Sequence, residues 1–334
     1  MEDFINICNR GVRKIKSIFI HKLKGTKLQF IIYRSYWHSI LFKVKKQKSG
    51  KYFSSVPNPG AGIGHQLANW IAGYWYAKQF ELKFAHIPFS SESWEYFLGF
   101  GEGEISVKEL VKKKGYKKVR LPLFDETNLK DINIIKRIIK SYDKKVVFIT
   151  EQDQFYKDQY SVIDDIKQKF YNAESRKDDK LIYNKNNFNI AVHIRRGDIV
   201  EGQTNNNPNL LMRWQDSEYF SNVLSNVIQN INEKRPIHIY IYSQGEESDF
   251  LEFNKFNNLH YCLDMSAQNS FLHMVYADLL ITSKSSFSYK PALLSNGIKI
   301  CPKGFWHGYP QTKGWILVEE DGFFDINILK QIIL

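Results

Sequence analysis

The sequence predicts an α/β protein of two domains, the second of them doubly wound. Three observations carry that expectation. The chain has 334 residues, beyond the usual size of one domain. Short apolar runs of the buried-strand type alternate with helix-compatible segments throughout the second half. Two of those strands end in polar clusters, at the carboxyl edge where doubly wound sheets bind their ligands.

The elements follow in order. Residues 1–51 form a basic arm, and after the turn-rich Val56-Pro57-Asn58-Pro59 comes a glycine loop, Gly60-Ala61-Gly62-Ile63-Gly64-His65. The glycines stop at a helix-compatible run, Leu67 to Phe80, and no clear strand precedes them. A strand is expected at Glu81 to Ile87, helices at Ile105 to Lys114 and Ile132 to Ser141, a buried strand at Lys145 to Thr150 and a helix at Ile163 to Tyr171. The Lys, Asp and Asn density of Ser175 to Asn187 marks the domain boundary, giving domains of 52–180 and 181–334. The second domain reads as strands Phe188 to Ile194, Ile237 to Tyr242, Leu259 to Leu263, Leu279 to Thr282 and Ile298 to Cys301. Between them lie helices Ser217 to Asn232, Glu246 to Phe253, Ser270 to Tyr276 and Ser288 to Leu294.

The first polar strand end is His193-Ile194-Arg195-Arg196-Gly197-Asp198. Adjacent arginines at a strand edge repel unless an anion or carboxylate neutralises them, and the guanidinium fork suits phosphate oxygens. Gly197 allows a sharp turn that brings Asp198 back toward the same space. A surface arginine pair bridged by Asp198 is the alternative. The second cluster is Thr282-Ser283-Lys284-Ser285-Ser286-Phe287-Ser288-Tyr289. Hydroxyls between a buried strand and a helix start supply side-chain donors and free amides, an anion seat; one serine acting as an ordinary N-cap is the alternative. Asp264, after a third strand, suits a guanine edge, a ribose hydroxyl pair or a plain turn.

Charge is unevenly distributed. The net +12 resides almost entirely in residues 1–51, with 13 Lys and Arg against 2 Asp and Glu, which leaves 34 basic and 33 acidic residues in the body. A nucleic-acid surface would spread basic and aromatic residues across the body, so nucleic acid is not expected as a partner. Within the arm, Val12 to Lys24 intersperses apolar residues with lysines in a loosely helical period. That pattern fits a helix lying on an anionic membrane surface through residues 1–50, or a solvated extension. The apolar stretch Leu28 to Phe42 is too short and too polar to span a bilayer. Cys8, Cys262 and Cys301 are odd in number and far apart, which suggests neither a disulfide framework nor a zinc site, and no export signal is evident. A cytoplasmic location, peripheral on the inner membrane face if the arm attaches, is the simplest expectation.

The motifs carry a resemblance. His193 to Asp198 is similar to the His-x-Arg-Arg-x-Asp motif of the inverting fucosyltransferases, Gly60 to Leu67 to the early Gly-x-Gly-Asn-Gln-Leu stretch of bacterial α1,2-fucosyltransferases, and Ser285 to Ser288 to their late Asn-Ser-Ser-Phe-Ser motif. The three stand in family order over most of the chain. His65 and Lys284 occupy positions where the family usually has Asn.

The resemblance implies a GT-B-like pair of Rossmann-like domains facing a cleft, and transfer of L-fucose from GDP-fucose to a glycan hydroxyl, such as that of a surface polysaccharide or lipid-linked oligosaccharide. Another nucleotide sugar, or a catalytically silent nucleotide-sugar-binding protein, are the alternatives. No cofactor or metal is implied, and the chain contains no Asp-x-Asp pair. By resemblance Arg195 neutralises the leaving β-phosphate and Asp198 orients the arginines. His193 and Arg196 hold the nucleotide and the site's geometry, and Ser285, Ser286 and Phe287 contact pyrophosphate and fucose. Gly62, Gly64 and His65 would line the donor site from the glycine loop; His65 is either a base or a structural hydrogen-bonding group. Glu151 and Asp153, past the strand at 145–150, are candidate bases.

Overall fold

The computed structural model describes Lys22, Leu23, Thr26, Leu28 and residues 50–142, 145–151, 159–200, 207–306 and 308–333. The rest of the basic arm, Cys8 and Asp153 lie outside the described residues. In chain order the elements are β1 (Lys51–Ser55), α1 (Ile63–Gln79), β2 (Lys83–Phe84), α2 (Glu92–Leu98), α3 (Val107–Lys112), β3 (Lys117–Arg120), α4 (Leu129–Ser141), β4 (Val146–Thr150) and α5 (Ile163–Asn172). There follow β5 (Phe188–His193), α6 (Pro208–Leu211), α7 (Ser217–Asn230), β6 (Ile237–Tyr242), β7 (Leu259–Cys262), α8 (Ala267–Tyr276), β8 (Leu279–Ile281), α9 (Ser286–Leu294), β9 (Ile298–Pro302), β10 (Trp315–Val318) and α10 (Ile326–Ile333).

The chain forms two compact units, each with a parallel sheet, and their bounds differ from the expected break after residue 180. The second unit takes Pro59–Leu67, Phe89–Glu102 and the chain after position 156; the first holds the other described residues. Composition misplaced the boundary because α5 belongs with the second unit. Its Lys167 Nζ donates to Asn296 Oδ1 (3.0 Å) and its Tyr171 hydroxyl to the Leu294 carbonyl (3.2 Å). The polar stretch expected as the domain boundary is pinned as well: the Ile182 N–H donates to His273 Nε2 at 3.0 Å.

In the first unit the strand order is β2-β1-β4-β3. The strand before the glycine loop, which sequence reading did not find, is β1, paired with β4 from Lys51↔Val146 to Ser55↔Thr150. Lys51 is therefore a strand residue, with its Nζ donating to the Ile139 carbonyl at 2.8 Å.

In the second unit the order is β10-β9-β8-β5-β6-β7. After β5 the chain adds β6 and β7 on one side, then β8, β9 and β10 on the other, so the topology reverses between β5 and β8. Alternate residues feed two cores. Ile190, Val192, Ile239, Ile241, Leu279 and Ile281 pack with Phe220, Val223 and Leu224 of α7, while Ala191, Tyr240, Tyr242 and Leu280 pack with Met274 and Ala292 of α8 and α9. Burial on both faces explains why β5 is a continuous apolar run. Among the described residues no helix is long and apolar enough to cross a membrane.

Candidate functional site

The reversal between β5 and β8 brings the two polar strand ends together. Val192 pairs with Ile281, so His193 and the turn after Ile281 leave the sheet side by side. Ser285, in extended conformation, caps α9 by accepting the Phe287 N–H at 3.2 Å. The same hydroxyl accepts from Arg195 Nη1 at 2.9 Å, and Arg195 Nη2 donates to Asp198 Oδ2 at 2.7 Å. A guanidinium is thus fixed at the N-terminal, positive end of a helix, where the dipole opposes a cation and favours an anion beside it.

His193 lies under this arrangement. Its Nδ1 shares a 2.7 Å hydrogen bond with the buried Ser283 hydroxyl. Burial first, and then the Arg195 charge, push the imidazole pKa down from 6.5 to about 3, so the ring is neutral. Phe287 is half-buried, with its ring 5.5 Å from His193 and 6.0 Å from Phe271.

Arg196 faces the protein. Its Nη1 donates to the carbonyls of Arg195 (3.0 Å) and Gln215 (3.1 Å), its Nη2 to Ser217 Oγ (3.1 Å), and its guanidinium stacks 4.3 Å over Trp214. It therefore holds the site's geometry, while Arg195 presents charge; the two adjacent arginines have separate tasks. Gly197 makes the division possible. Its φ of +66° is left-handed, and a β-carbon there would lie 2.2 Å from Gln244 Oε1. Asp198 pairs with Arg195 alone among the described residues, with its side chain 55% exposed.

The glycine loop belongs to the same unit and packs on the serine turn. A β-carbon at Gly64 would come within 2.6 Å of the Ser286 carbonyl, whereas one at Gly62 would meet nothing within 4 Å. Gln66 latches the loop: its Nε2 donates to Ala61 O (2.8 Å) and Ser90 Oγ (2.7 Å), and its Oε1 accepts the Ser90 N–H. His65 is half-buried in the first turn of α1, its N–H donating to the Gly62 carbonyl at 3.0 Å.

Two strands from the anion seat, a cavity of about 580 Å³ opens at the carboxyl ends of β6 and β7. Asp264, exposed at its wall, shares the lining with Ile182, Glu246, Glu247, Met265 and Asn269. His193, Tyr242 and Cys262 are in register across β5, β6 and β7, so seat and cavity lie roughly 10 Å apart at the usual strand spacing.

Other candidates lie elsewhere. Glu151 follows β4 in the first unit, exposed and bridged to Arg120 at 2.6 Å. Among the described residues no three His, Cys, Asp or Glu side chains gather as a metal site. Sequence reading missed Gln66, Gln215 and Arg213. Gln215 joins the two clusters: its Oε1 accepts the Lys284 N–H at 2.8 Å while its carbonyl receives Arg196. Arg213 stacks 4.5 Å over Trp306. Gln66 stands inside the glycine-loop motif and bonds Ala61 five residues away, whereas no local signal marks Gln215 or Arg213, whose side chains meet residues distant in sequence.

No protein-family model matches the chain, and no curated protein matches it. Among solved structures it is similar to POFUT1 in complex with GDP, with 12% identity, a TM-score of 0.45 and coverage of 75% of this chain and 97% of that one. It is also similar to NodZ α-1,6-fucosyltransferase soaked with GDP-fucose, with 10% identity, a TM-score of 0.44 and coverage of 78% and 98%. An Arabidopsis thaliana FUT1 mutant in complex with GDP gives 11% identity, a TM-score of 0.43 and coverage of 87% and 78%.

Proposed function

We propose that the protein is an inverting, GT-B-type glycosyltransferase that moves L-fucose from GDP-fucose to a glycan hydroxyl. The observation that supports this most directly is Arg195, held by Ser285 and Asp198 at the start of α9 where the sheet topology reverses. The cavity beside Asp264 accommodates a base at the distance a nucleoside diphosphate spans, with carboxylates suited to the N1 and N2 donors of guanine. The choice of fucose rests on the His193 to Asp198 and Ser285 to Ser288 motifs.

The chemistry follows from charge. As the bond between the anomeric carbon and the β-phosphate oxygen breaks, negative charge grows on the phosphate beside Arg195 and the amides of α9. An acceptor hydroxyl attacks the opposite face, forms the new glycosidic bond and loses its proton to a base, for which Glu151 and Asp153 are the candidates; configuration inverts. Donors preorganised toward developing charge need no reorganisation in the transition state, which is how this seat would lower the barrier. His193, neutral and bonded to Ser283, supports the serine turn without adding a charge to it.

The test is GDP binding in chelator-treated buffer, followed by GDP release from GDP-fucose across a glycan acceptor panel. Saturable binding weakened in Arg195→Ala, with acceptor-dependent release, supports the reading. Release from another nucleotide sugar in preference would replace fucose, binding without turnover would favour a silent binding protein, and absence of GDP binding would refute the reading.

The basic arm supports a peripheral membrane location at the cytoplasmic face, with the acceptor held at that surface. Deleting residues 1–50 should abolish co-sedimentation with anionic vesicles and leave GDP affinity unchanged; retained sedimentation would refute attachment through the arm.

A further inference from the structure

Arg213 stands in the turn between α6 and α7, and that turn is tied into the anion seat at two points. Arg196 grips the Gln215 carbonyl and Ser217 Oγ, and Gln215 Oε1 receives the N–H of Lys284, next to the Ser285 that anchors Arg195. Burial lowers the Arg213 pKa most, the Arg195 charge lowers it further, and the Asp198 charge opposes both. Its guanidinium carbon lies over the Trp306 indole, 4.5 Å from the ring centroid. Its Nε is buried without a partner, and its terminal nitrogens make no hydrogen bond or ion pair among the described residues.

Neighbouring cations are accounted for differently. Lys284 is bridged to Glu320 at 2.7 Å, and Arg196 is spent on carbonyls and Ser217 with Asp216, Asp249 and Glu252 nearby. Arg195 has Asp198 as its carboxylate beside a helix N-terminus, and Arg213 has no carboxylate partner among the described residues. A planar guanidinium fixed on an aromatic face with its donors unused is preorganised to accept oxygens bidentately.

We propose that Arg213 is a second guanidinium ligand of the anion seat, binding the diphosphate of the nucleotide sugar together with Arg195, and that Trp306 is the platform that positions it. This rests on the nucleotide-sugar reading given above.

The test is calorimetric titration of wild type, Arg213→Ala, Arg213→Lys and Trp306→Leu with GDP, guanosine and inorganic pyrophosphate, with melting temperatures recorded for each. Arg213→Ala should weaken GDP and pyrophosphate by about 10- to 100-fold and leave guanosine unchanged, the loss expected for a hydrogen-bonded charge. Arg213→Lys should recover part of the affinity, and Trp306→Leu should lie between wild type and Arg213→Ala. Unchanged GDP and pyrophosphate affinity in Arg213→Ala would overturn the inference while leaving the nucleotide reading intact. Equal losses for GDP and guanosine would also overturn it, because that is the signature of a general structural defect. Wild-type binding of pyrophosphate without GDP would instead overturn the nucleotide reading, and the pyrophosphate series would then decide the role of Arg213 by itself. Binding of neither would overturn both.

Discussion

Gly64 and Ser286 touch backbone to backbone: a β-carbon on Gly64 would sit 2.6 Å from the carbonyl carbon and oxygen of Ser286 and 2.9 Å from the amide nitrogen of Phe287. The glycine loop is thereby a buttress for the serine turn that anchors Arg195. Gly64→Ala forces that turn to move, at a cost of about 1–3 kcal/mol for an overpacked contact. The variant should melt lower than wild type and bind GDP more weakly, while Gly62→Ala, with open space around it, should match wild type in melting temperature.

Arg195 makes two fixed bonds in different directions, to Ser285 and to Asp198, a fork that an ammonium cannot reproduce. Arg195→Ala should lower turnover by about 100- to 1,000-fold, as losing a donor to developing charge usually does. Arg195→Lys should remain far below wild type. Asp198→Asn keeps the Ser285 anchor and should cost roughly tenfold, the scale of one charge-assisted bond. Initial rates of GDP release rank the three, and an Asp198 variant more damaged than Arg195→Ala would contradict this geometry.

His193 gives the fold a pH dependence. In the unfolded chain its imidazole protonates near pH 6.5, whereas burial and the Arg195 charge hold the folded pKa near 3. Between those values the unfolded state binds more protons, so this stability contribution is complete above about pH 6.5 and is lost as pH falls toward 3. Burial also pushes His260 and His273 down, which adds in the same direction. Wild type should melt progressively lower from pH 7.5 to pH 5, and His193→Gln should show a shallower decline.

Arg196→Lys, conservative in charge, should behave as a stability mutant. It removes bonds to Gln215 O and Ser217 Oγ and the stack on Trp214. A loss of about 1–3 kcal/mol is expected for buried acceptors left unpaired, read as a lower denaturant midpoint, with GDP affinity falling less than in Arg195→Ala.

Asp264 should report on the base. If its carboxylate receives the exocyclic amine of guanine, Asp264→Asn should reduce the preference for GDP over IDP, which lacks that amine, by roughly tenfold. Competition titrations with the two nucleotides measure it; an unchanged ratio would remove Asp264 from base recognition and leave it as a cavity wall.

Much of this architecture was legible along the chain. β4, β8 and the centre of β5 are apolar runs because both faces of these strands are buried, and burial on two faces removes the need for polar alternation. The serine-rich start of α9 was legible too, since N-capping is a local hydrogen bond between residues two or three apart. Lys51–Ser55, Lys117–Arg120 and Trp315–Val318 were not recognised as strands. They are four or five residues long, two of them are largely polar, and what makes them strands is pairing with β4 or β9.

The sequence by itself determined which side chains could meet an anion: His193, the arginine pair, Asp198 and the serines stand at strand ends by virtue of local period and propensity. Only the tertiary structure decided which arginine does what. Arg195 turns to Ser285 ninety residues away, Arg196 turns inward to Gln215 and Ser217, and Arg213 arrives on Trp306 with no motif to announce it. A guanidinium's role is set by the acceptors within about 3 Å of it, and those are supplied by whichever segments the sheet order brings past, which neither period nor propensity encodes.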